Sequence, residues 1–264
     1  MYTFLPYFFA VLLLTSTPSG QPVLLSHIDG KAAFITSDEL SDIYVIKNDV
    51  MEKYDEKGKL LYSYSPKSLG QIDFVDAADP LKVLVFYKSF PQFAVLDNTL
   101  TMNGESFSLQ DYSLEQTTLM CTSYEHGFWL YDQANLELQH LNEIDMTVNK
   151  TTGNIGQLLN IKLHPNFLVE KNNKVFLNDP EIGILVFDVF GAYFKTLPLK
   201  NLNNFQVNGD QIIYYSGKKL NSYNYKTLTD DSYPLPDTTA IAVRVEKSRM
   251  FIQNEKGIDI YEVK

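Results

Sequence analysis

Short apolar runs, separated by polar or glycine-containing stretches, recur along the chain in pairs. Each run is rich in β-branched and aromatic residues, and a few polar residues separate the two members of a pair, which is the pattern of a β-hairpin. The clearest pairs are residues 43–55, 83–97, 119–132, 175–188 and 212–224. With turn signals distributed among 13 Gly and 11 Pro, the pattern predicts a single all-β domain.

A repeated dipeptide connects these pairs: an aromatic or aliphatic residue followed by Asp, Asn or Glu. The six instances are Tyr54-Asp55, Leu96-Asp97, Tyr131-Asp132, Phe187-Asp188, Tyr223-Asn224 and Tyr261-Glu262. Successive instances are 42, 35, 56, 36 and 38 residues apart, about 41 on average. That is the length of one four-stranded propeller blade, so the repeat predicts six blades. The acidic residues come at strand ends, where a carboxylate caps a tight turn, and we interpret them as structural.

The ends of the chain suggest how a ring would close. The last unit stops after residues 258–263 without a fourth strand, whereas a spare strand, residues 23–28, precedes the first unit. If that strand completes the last blade, the ring has no free edge. On this period and these turn acids the chain resembles six-bladed β-propellers of the loose NHL or TolB-like type. The resemblance concerns architecture and implies a ring of four-stranded blades over residues 21–264.

The repeat is irregular at two places. The longest spacing points to an insertion at about residues 142–165. Within residues 151–160, apolar residues at helical spacing after the Thr-Thr-Gly-Asn stretch predict a short helix with Asn154 as its candidate N-cap. The insertion either packs back on the rim or binds a partner. The candidate partner-binding residues are Asp145, Asn149, Ile155, Leu158 and Leu159. The second irregularity is residues 66–80, where Asp73 is the candidate channel-facing acid and Asp76 and Asp79 are expected to be solvated.

The N-terminus carries an uncharged apolar segment, residues 4–14, followed by small and polar residues up to Gly20. Eleven residues are too few to span a bilayer as a helix and match the core of a signal peptide, although a positively charged start is missing. We therefore predict that residues 1–20 are a cleavable signal peptide, with a retained membrane anchor as the alternative. After cleavage no integral membrane span is expected.

Composition and candidate chemistry narrow the function. The chain has 22 basic and 32 acidic residues, and a net charge of −10 argues against a nucleic-acid partner. The four His, at positions 27, 126, 140 and 164, form no ligand motif, and the single Cys121 is expected to be a buried small apolar residue. The sequence thus identifies no catalytic, metal-binding or cofactor-binding residue, and no cofactor is predicted.

Three functions remain open at this point. The favoured one is a non-enzymatic scaffold that binds a protein partner in the cell envelope, in the periplasm or at an outer-membrane assembly of a Gram-negative bacterium. The alternatives are a propeller that binds a small molecule or glycan through stacked aromatic residues, and a hydrolase or lyase that uses a divalent cation held by Asp73. Architecture alone does not choose among them.

Overall fold

The computed structural model describes residues 21–263, which form six sheets of four antiparallel strands each. The first strand in the chain is β1 (Val23–Asp29). Blades 1 to 3 contain β2 (Phe34–Ser37), β3 (Ile43–Lys47), β4 (Val50–Tyr54) and β5 (Leu60–Tyr64); β6 (Phe74–Asp76), β7 (Val83–Tyr87), β8 (Gln92–Leu96) and β9 (Phe107–Ser108); and β10 (Thr117–Ser123), β11 (Gly127–Asp132), β12 (Glu137–Asn142) and β13 (Val148–Thr151).

The remaining strands complete three further blades, and two short helices lie in connections between blades. Blades 4 and 5 contain β14 (Phe167–Lys171), β15 (Lys174–Asp179), β16 (Gly183–Asp188) and β17 (Tyr193–Leu197); and β18 (Gln206–Asn208), β19 (Gln211–Ser216), β20 (Lys219–Asn224) and β21 (Thr229–Pro234). Blade 6 contains β22 (Ala242–Glu246), β23 (Arg249–Gln253), β24 (Gly257–Glu262) and β1. A 3-10 helix covers Leu109–Tyr112, and the α-helix α1 covers Ile155–Leu159. The predicted all-β, six-bladed β-propeller is confirmed.

The ring closes through β1. This strand pairs antiparallel with β24, from Val23 opposite Glu262 to Asp29 opposite Gly257, and becomes the outermost strand of blade 6. The first strand of the chain therefore completes the last blade, as predicted. Ser26 on β1 also donates a hydrogen bond from its hydroxyl to the carbonyl of Lys57 in blade 1 (2.8 Å). Closure of this kind pairs the edge that the last blade would otherwise expose.

Aromatic residues fill the space between the blades. The middle strands of blades 3 and 4, such as β11 and β16, are almost completely buried, and the largest fully buried side chains include Trp129, Tyr131, Phe176 and Phe187. Trp129 of blade 3 and Phe187 of blade 4 belong to one apolar cluster. Burial of an aromatic or aliphatic side chain stabilises a fold by about 1.5–3 kcal/mol, so these contacts hold neighbouring blades together. This packing accounts for much of the aromatic content of the sequence.

Five of the six repeated polar residues cap turns, as predicted, whereas Glu262 bonds to Arg249. One of the five, Asp132, lies on a different strand of its blade from the others. Asp55 follows the third strand of blade 1 and Asp188 ends the third strand of blade 4, and each accepts hydrogen bonds from two backbone N–H groups of the following turn (2.9 Å). Asp132 makes comparable bonds at the end of the second strand of blade 3. The equivalent of Asp55 in blade 3 is Asn142, which ends the third strand and accepts from Ile144 N–H (2.8 Å).

Three glycines explain why the motif Tyr131-Asp132 was assigned to the wrong strand of blade 3. Gly127, Gly183 and Gly257 start strands that end in an aromatic residue and an acid, in the segments GFWLYD, GILVFD and GIDIYE. A Cβ atom at these glycines would lie only 2.1, 2.2 and 2.0 Å from a carbonyl oxygen of the adjacent strand. The pattern therefore marks a close approach of two backbones, which occurs on the second strand in blade 3 and on the third strand in blades 4 and 6.

The predicted insertion needs correction for the same reason. Residues 142–165 contain β13, the ordinary outer strand of blade 3, so most of the segment is not an addition to the blade. With Leu141-Asn142 as the third instance, the two spacings become 45 residues (96 to 141) and 46 residues (141 to 187). What remains is a longer connection between blades 3 and 4 that contains α1. The predicted helix and its N-cap are confirmed: the Asn154 side chain accepts a hydrogen bond from Gln157 N–H (2.8 Å).

A buried charge cluster fixes the first two strands of blade 1. Lys53 is almost completely buried, and its Nζ lies 3.4 Å from Asp38 Oδ2 and 3.1 Å from Asp42 Oδ2. The Tyr44 hydroxyl also donates to Asp38 (2.9 Å). Burial raises the pKa of Asp42, and the hydrogen bond from Lys53 opposes that rise. The Lys53 ammonium group is therefore the cation that compensates two carboxylates inside the protein.

The alternating strand directions define two ends of the ring. We call one end the upper face; it carries the turns between the first and second strands and between the third and fourth strands of each blade. The lower face carries the turns between the second and third strands and the connections between blades, including α1. Within residues 21–263, no helix has the length and apolar character needed to cross a bilayer.

Candidate functional site

A central cavity of about 340 Å³ lies within the ring and is lined by five of the six blades. Its walls are first strands, and residues of upper-face turns, including Glu39, Ala78 and Lys247, surround its mouth. Phe74, Phe167 and Phe205 form its floor: the ring centroids of Phe74 and Phe167 are 5.8 Å apart, and those of Phe167 and Phe205 are 5.1 Å apart, both in edge-to-face contact. The cavity is thus apolar toward the lower face and polar toward its mouth.

Asp76 lies on the wall of this cavity, but its carboxylate is already occupied. Oδ2 accepts hydrogen bonds from the N–H (2.9 Å) and hydroxyl (2.7 Å) of Thr122, and Oδ1 accepts from Ala78 N–H (3.0 Å). These contacts connect the first strand of blade 2 to the first strand of blade 3. Asp76 therefore positions two inner strands as well as contributing negative charge to the cavity.

Arg244 and Glu246 approach the cavity from β22. Glu246 accepts hydrogen bonds from Ser37 Oγ (2.9 Å) and Gln206 Nε2 (2.8 Å), which join blades 6, 1 and 5. Burial raises the pKa of Glu246, and the hydrogen bond from Ser37 and the charge of Arg244 oppose the rise. Burial also lowers the pKa of Arg244, against the attraction of Glu246 and Asp76. Even so, a guanidinium group remains charged in a protein.

The prediction of the channel-facing acid was wrong by three residues: Asp76, and not Asp73, lines the channel. Asp73 precedes β6 on the lower face, is exposed, and accepts a hydrogen bond from Lys88 N–H (2.6 Å). It does not line the central cavity. Asp76, which was expected to be solvated, is the carboxylate in the channel wall. Asp79 is exposed, as expected, and lies in an upper-face turn. The position of the inner strand was predicted correctly, but the residue at which this strand reaches the channel was not.

A second cavity of about 190 Å³ opens on the upper face between blades 2, 3 and 4. Its lining includes Asp79, Lys82, Tyr124, Glu143 and Glu170. Lys82 forms an ion pair with Glu143. Glu170 is buried and accepts hydrogen bonds from Trp129 Nε1 (2.8 Å) and Tyr124 N–H (3.3 Å). The turn that carries Tyr124 is thereby fixed at its base, while the Tyr124 side chain remains 64% exposed.

Large exposed apolar side chains are more numerous in the upper-face turns than at the lower face. Leu81 (67% exposed) and Ile144 (83%) are next in sequence to Lys82 and Glu143, which line the second cavity together with Tyr124. The upper-face set is Leu40, Leu81, Tyr124, Ile144, Phe190 and Leu228. The lower-face set is Phe90, Tyr112, Leu158 and Ile241. Exposed apolar groups beside a cavity are typical of interaction sites.

The five residues predicted to bind a partner do not form one surface. Asp145 is in the upper-face turn between β12 and β13, where it accepts hydrogen bonds from Thr147, and Asn149 on β13 bonds to the ring of His140 (2.7 Å). Ile155 is fully buried and Leu159 is partly buried in the core between blades 3 and 4. Leu158 alone among the three apolar residues is exposed, at the lower face. The short helix therefore contributes chiefly to packing.

The remaining candidates for chemistry are dispersed. Cys121 is buried, and burial raises the pKa of its thiol, in agreement with the predicted apolar role. His140 is buried edge-to-face against Trp129 (5.2 Å), and burial lowers its pKa. Among residues 21–263, no three His, Cys, Asp or Glu side chains are grouped so that they could hold a metal ion. Sequence reasoning missed Arg244, although a basic residue inside an apolar inner strand was a usable signal.

Several solved structures share the fold. A chain in the crystal structure of a mitotic checkpoint complex has a TM-score of 0.64 and 9% identity, and the alignment covers 100% of this chain and 99% of that one. Inactive H270A virginiamycin B lyase from Staphylococcus aureus with quinupristin has a TM-score of 0.62 and 10% identity, covering 92% and 99%. The Neurospora crassa Pan2 WD40 domain has a TM-score of 0.57 and 10% identity, covering 88% and 81%.

These similarities establish propeller architecture. No protein-family model and no curated protein matches the sequence. At about 10% identity the structural neighbours share backbone topology with this chain, and they include an enzyme, a WD40 domain and a chain of a mitotic checkpoint complex. Function therefore has to be argued from the residues of this chain.

Proposed function

We propose that this protein is a non-enzymatic binding propeller that holds a protein partner against its upper face, near blades 2 and 3. The observation that carries the proposal is the position of Leu81, Tyr124 and Ile144 around the second cavity. Each side chain is mostly exposed, and each is on a turn whose strands are anchored in the core. A rigid support and an exposed apolar tip together favour tight binding, because little conformational entropy is lost on association.

The surroundings of this patch suit a protein rather than a free apolar molecule. The ion pair of Lys82 and Glu143 and the nearby His126 provide a polar rim beside the apolar side chains. Apolar anchors inside a polar rim are the usual organisation of protein interfaces, in which Tyr is enriched. The fold neighbour from a mitotic checkpoint complex belongs to a protein assembly, and this supports the proposal by analogy of fold.

The proposed location is the cell envelope, in the periplasm or at an outer-membrane assembly. This part rests on residues 1–20, which lie outside the described residues, and on the signal-peptide pattern of residues 4–14. N-terminal sequencing of the protein from its native cells tests it. Export predicts a mature chain that begins at or beside Gln21, whereas a chain that retains Met1 in the membrane fraction would support the anchor.

We also propose that the protein is not an enzyme. The carboxylates of the central cavity are bonded to neighbouring strands: Asp76 accepts three hydrogen bonds and Glu246 accepts two from side chains of other blades. Carboxylates held in this way stabilise inner strands. The lyase among the fold neighbours shows that a propeller can be an enzyme, so turnover assays with the purified protein remain the direct test.

Affinity purification from the native membrane fraction tests partner binding. The wild-type protein is compared with the double variant Leu81→Glu/Tyr124→Glu and with the control Phe90→Glu, which introduces one such charge at a 76% exposed side chain of the lower face. We expect a partner to co-purify with the wild type and the control and to be lost from the double variant. An identical set of co-purifying proteins for all three would contradict the proposal.

A further inference from the structure

The chain has only two arginines, and their environments differ sharply. Arg249, in blade 6, forms ion pairs with Glu56 (3.1 Å) and Glu262 (3.4 Å). Arg244 lines the central cavity and has no carboxylate oxygen of a described residue within 4.0 Å. Its guanidinium donates one hydrogen bond, from Nη2 to Thr36 Oγ1 (3.0 Å). Its Nε, like that of Arg249, is buried with no hydrogen-bond partner among residues 21–263, so the two arginines differ in their ion pairs.

The nearby carboxylates of the cavity wall, those of Asp76 and Glu246, accept hydrogen bonds from other groups and not from this guanidinium. The Asp76 carboxylate is directed to Thr122 and Ala78, and the Glu246 carboxylate to Ser37 and Gln206. A guanidinium has five N–H donors in a planar fork that matches a carboxylate in two parallel hydrogen bonds. A buried charged donor that lacks acceptors is costly, so a ligand that supplies acceptor oxygens would bind favourably here.

We propose that the central cavity binds a small organic monocarboxylate, with its carboxylate on Arg244 and Thr36 and its apolar body in the cavity. The aromatic floor of Phe74, Phe167 and Phe205 supplies the apolar surface. Besides Arg244, the lining contains three acids (Glu39, Asp76 and Glu246) and two lysines (Lys171 and Lys247), a net charge of −1. A doubly charged anion such as phosphate therefore meets more repulsion than a singly charged one. The volume of about 340 Å³ limits the ligand to a small molecule. This site is separate from the proposed partner-binding patch.

Thermal melting of the purified protein with benzoate and butyrate tests the proposal, with benzamide as the uncharged analogue and inorganic phosphate as the dianion. A ligand that binds only the native state raises the melting temperature by about 5–10 °C at roughly 100 times its Kd for a chain of this size. We expect this rise with a carboxylate, its loss in Arg244→Gln, and its persistence in Arg249→Gln. The proposal is overturned if no carboxylate acts, if benzamide acts equally, or if phosphate acts more strongly.

A second measurement uses the wild type alone, so it does not depend on the folding of a variant. Phenylglyoxal modifies arginine, and because the chain has two arginines, mass spectrometry of peptides reports each one separately. We expect a carboxylate that raises the melting temperature to slow the modification of Arg244 at least several-fold, with no change at Arg249. Equal modification of Arg244 with and without the carboxylate would contradict the assignment. Loss of partner binding in Leu81→Glu/Tyr124→Glu has no bearing on this outcome.

Discussion

A disulfide across the closing strands gives the sharpest test of how the ring is held together. His27 on β1 lies opposite Asp259 on β24, and their side chains are in contact (Nδ1 to Oδ1, 2.6 Å). Gly30 N–H donates to Lys256 carbonyl in the same ladder, so the alternation of an antiparallel pair makes His27 and Asp259 a pair without backbone hydrogen bonds. The Cα atoms of such a pair are about 4.5 Å apart, which a disulfide can span.

The expected gain in stability follows from the length of chain that the disulfide encloses. The double variant His27→Cys/Asp259→Cys would enclose 232 residues. In the chain-entropy description, a loop of that length stabilises the folded state by about 5 kcal/mol, and engineered disulfides commonly give about 2–4 kcal/mol. For a domain of this size the melting temperature should rise by about 2–4 °C per kcal/mol, that is by roughly 5–20 °C.

The assay compares oxidised and reduced forms of the same variant by urea unfolding and thermal melting. The lost contact between His27 and Asp259 affects both forms equally, and Cys121 is buried, so it does not compete for disulfide formation in the native state. The control His27→Cys/Thr151→Cys places the second thiol on the outer strand of blade 3, across the ring, and should form no intramolecular disulfide. Failure of the first variant to oxidise, or equal stability of its two forms, would refute closure through β1.

Three further substitutions have definite expectations. Lys53→Met leaves two carboxylates without their cation in the interior and should lower the free energy of unfolding by about 3–5 kcal/mol in urea, whereas Lys31→Met, at an exposed pair, should change it by less than about 1 kcal/mol. Gly257→Ala places a Cβ 2.0 Å from a carbonyl of the closing strand and should lower the melting temperature more than Gly209→Ala, whose cost is backbone strain alone. Burial raises the pKa of Glu246 in the folded state, so its contribution to stability is fully present below the unfolded pKa of about 4.5 and is lost as pH rises through the folded pKa. The free energy of unfolding of Glu246→Gln should therefore rise relative to that of the wild type across that pH range. A difference that stays constant with pH would contradict this.

The architecture was predictable because its signals are local and repeated. Each blade needs paired apolar runs and a tight turn, and residues such as Asp55 and Asp188 mark where those turns begin. Closure was predictable from an imbalance at the two ends of the chain, one strand short after residue 263 and one strand extra before Phe34. These features depend on neighbours in sequence, so a single chain contains enough information to find them.

The site was harder to predict because it depends on which residues meet across the ring. Asp132 carried the repeat motif on a different strand, which displaced the assignment of one blade and created the appearance of an insertion. Asp73 and Asp76 are three residues apart, and only the length of β6 decides which one reaches the channel. The proposed role of Arg244 depends on where the carboxylates of Asp76 and Glu246 are directed. Their hydrogen-bond partners lie in blades 1, 2, 3 and 5, far from Arg244 in sequence.

Photo-crosslinking in the native cells tests the central claim, that the upper face binds a protein partner, most directly. A photoreactive amino acid replaces Tyr124 in one strain and Phe90 in another; both positions are mostly exposed, and they lie on opposite faces. We expect a discrete crosslinked protein from position 124 and none from position 90. Crosslinks from position 90 alone, or from neither position, would contradict it.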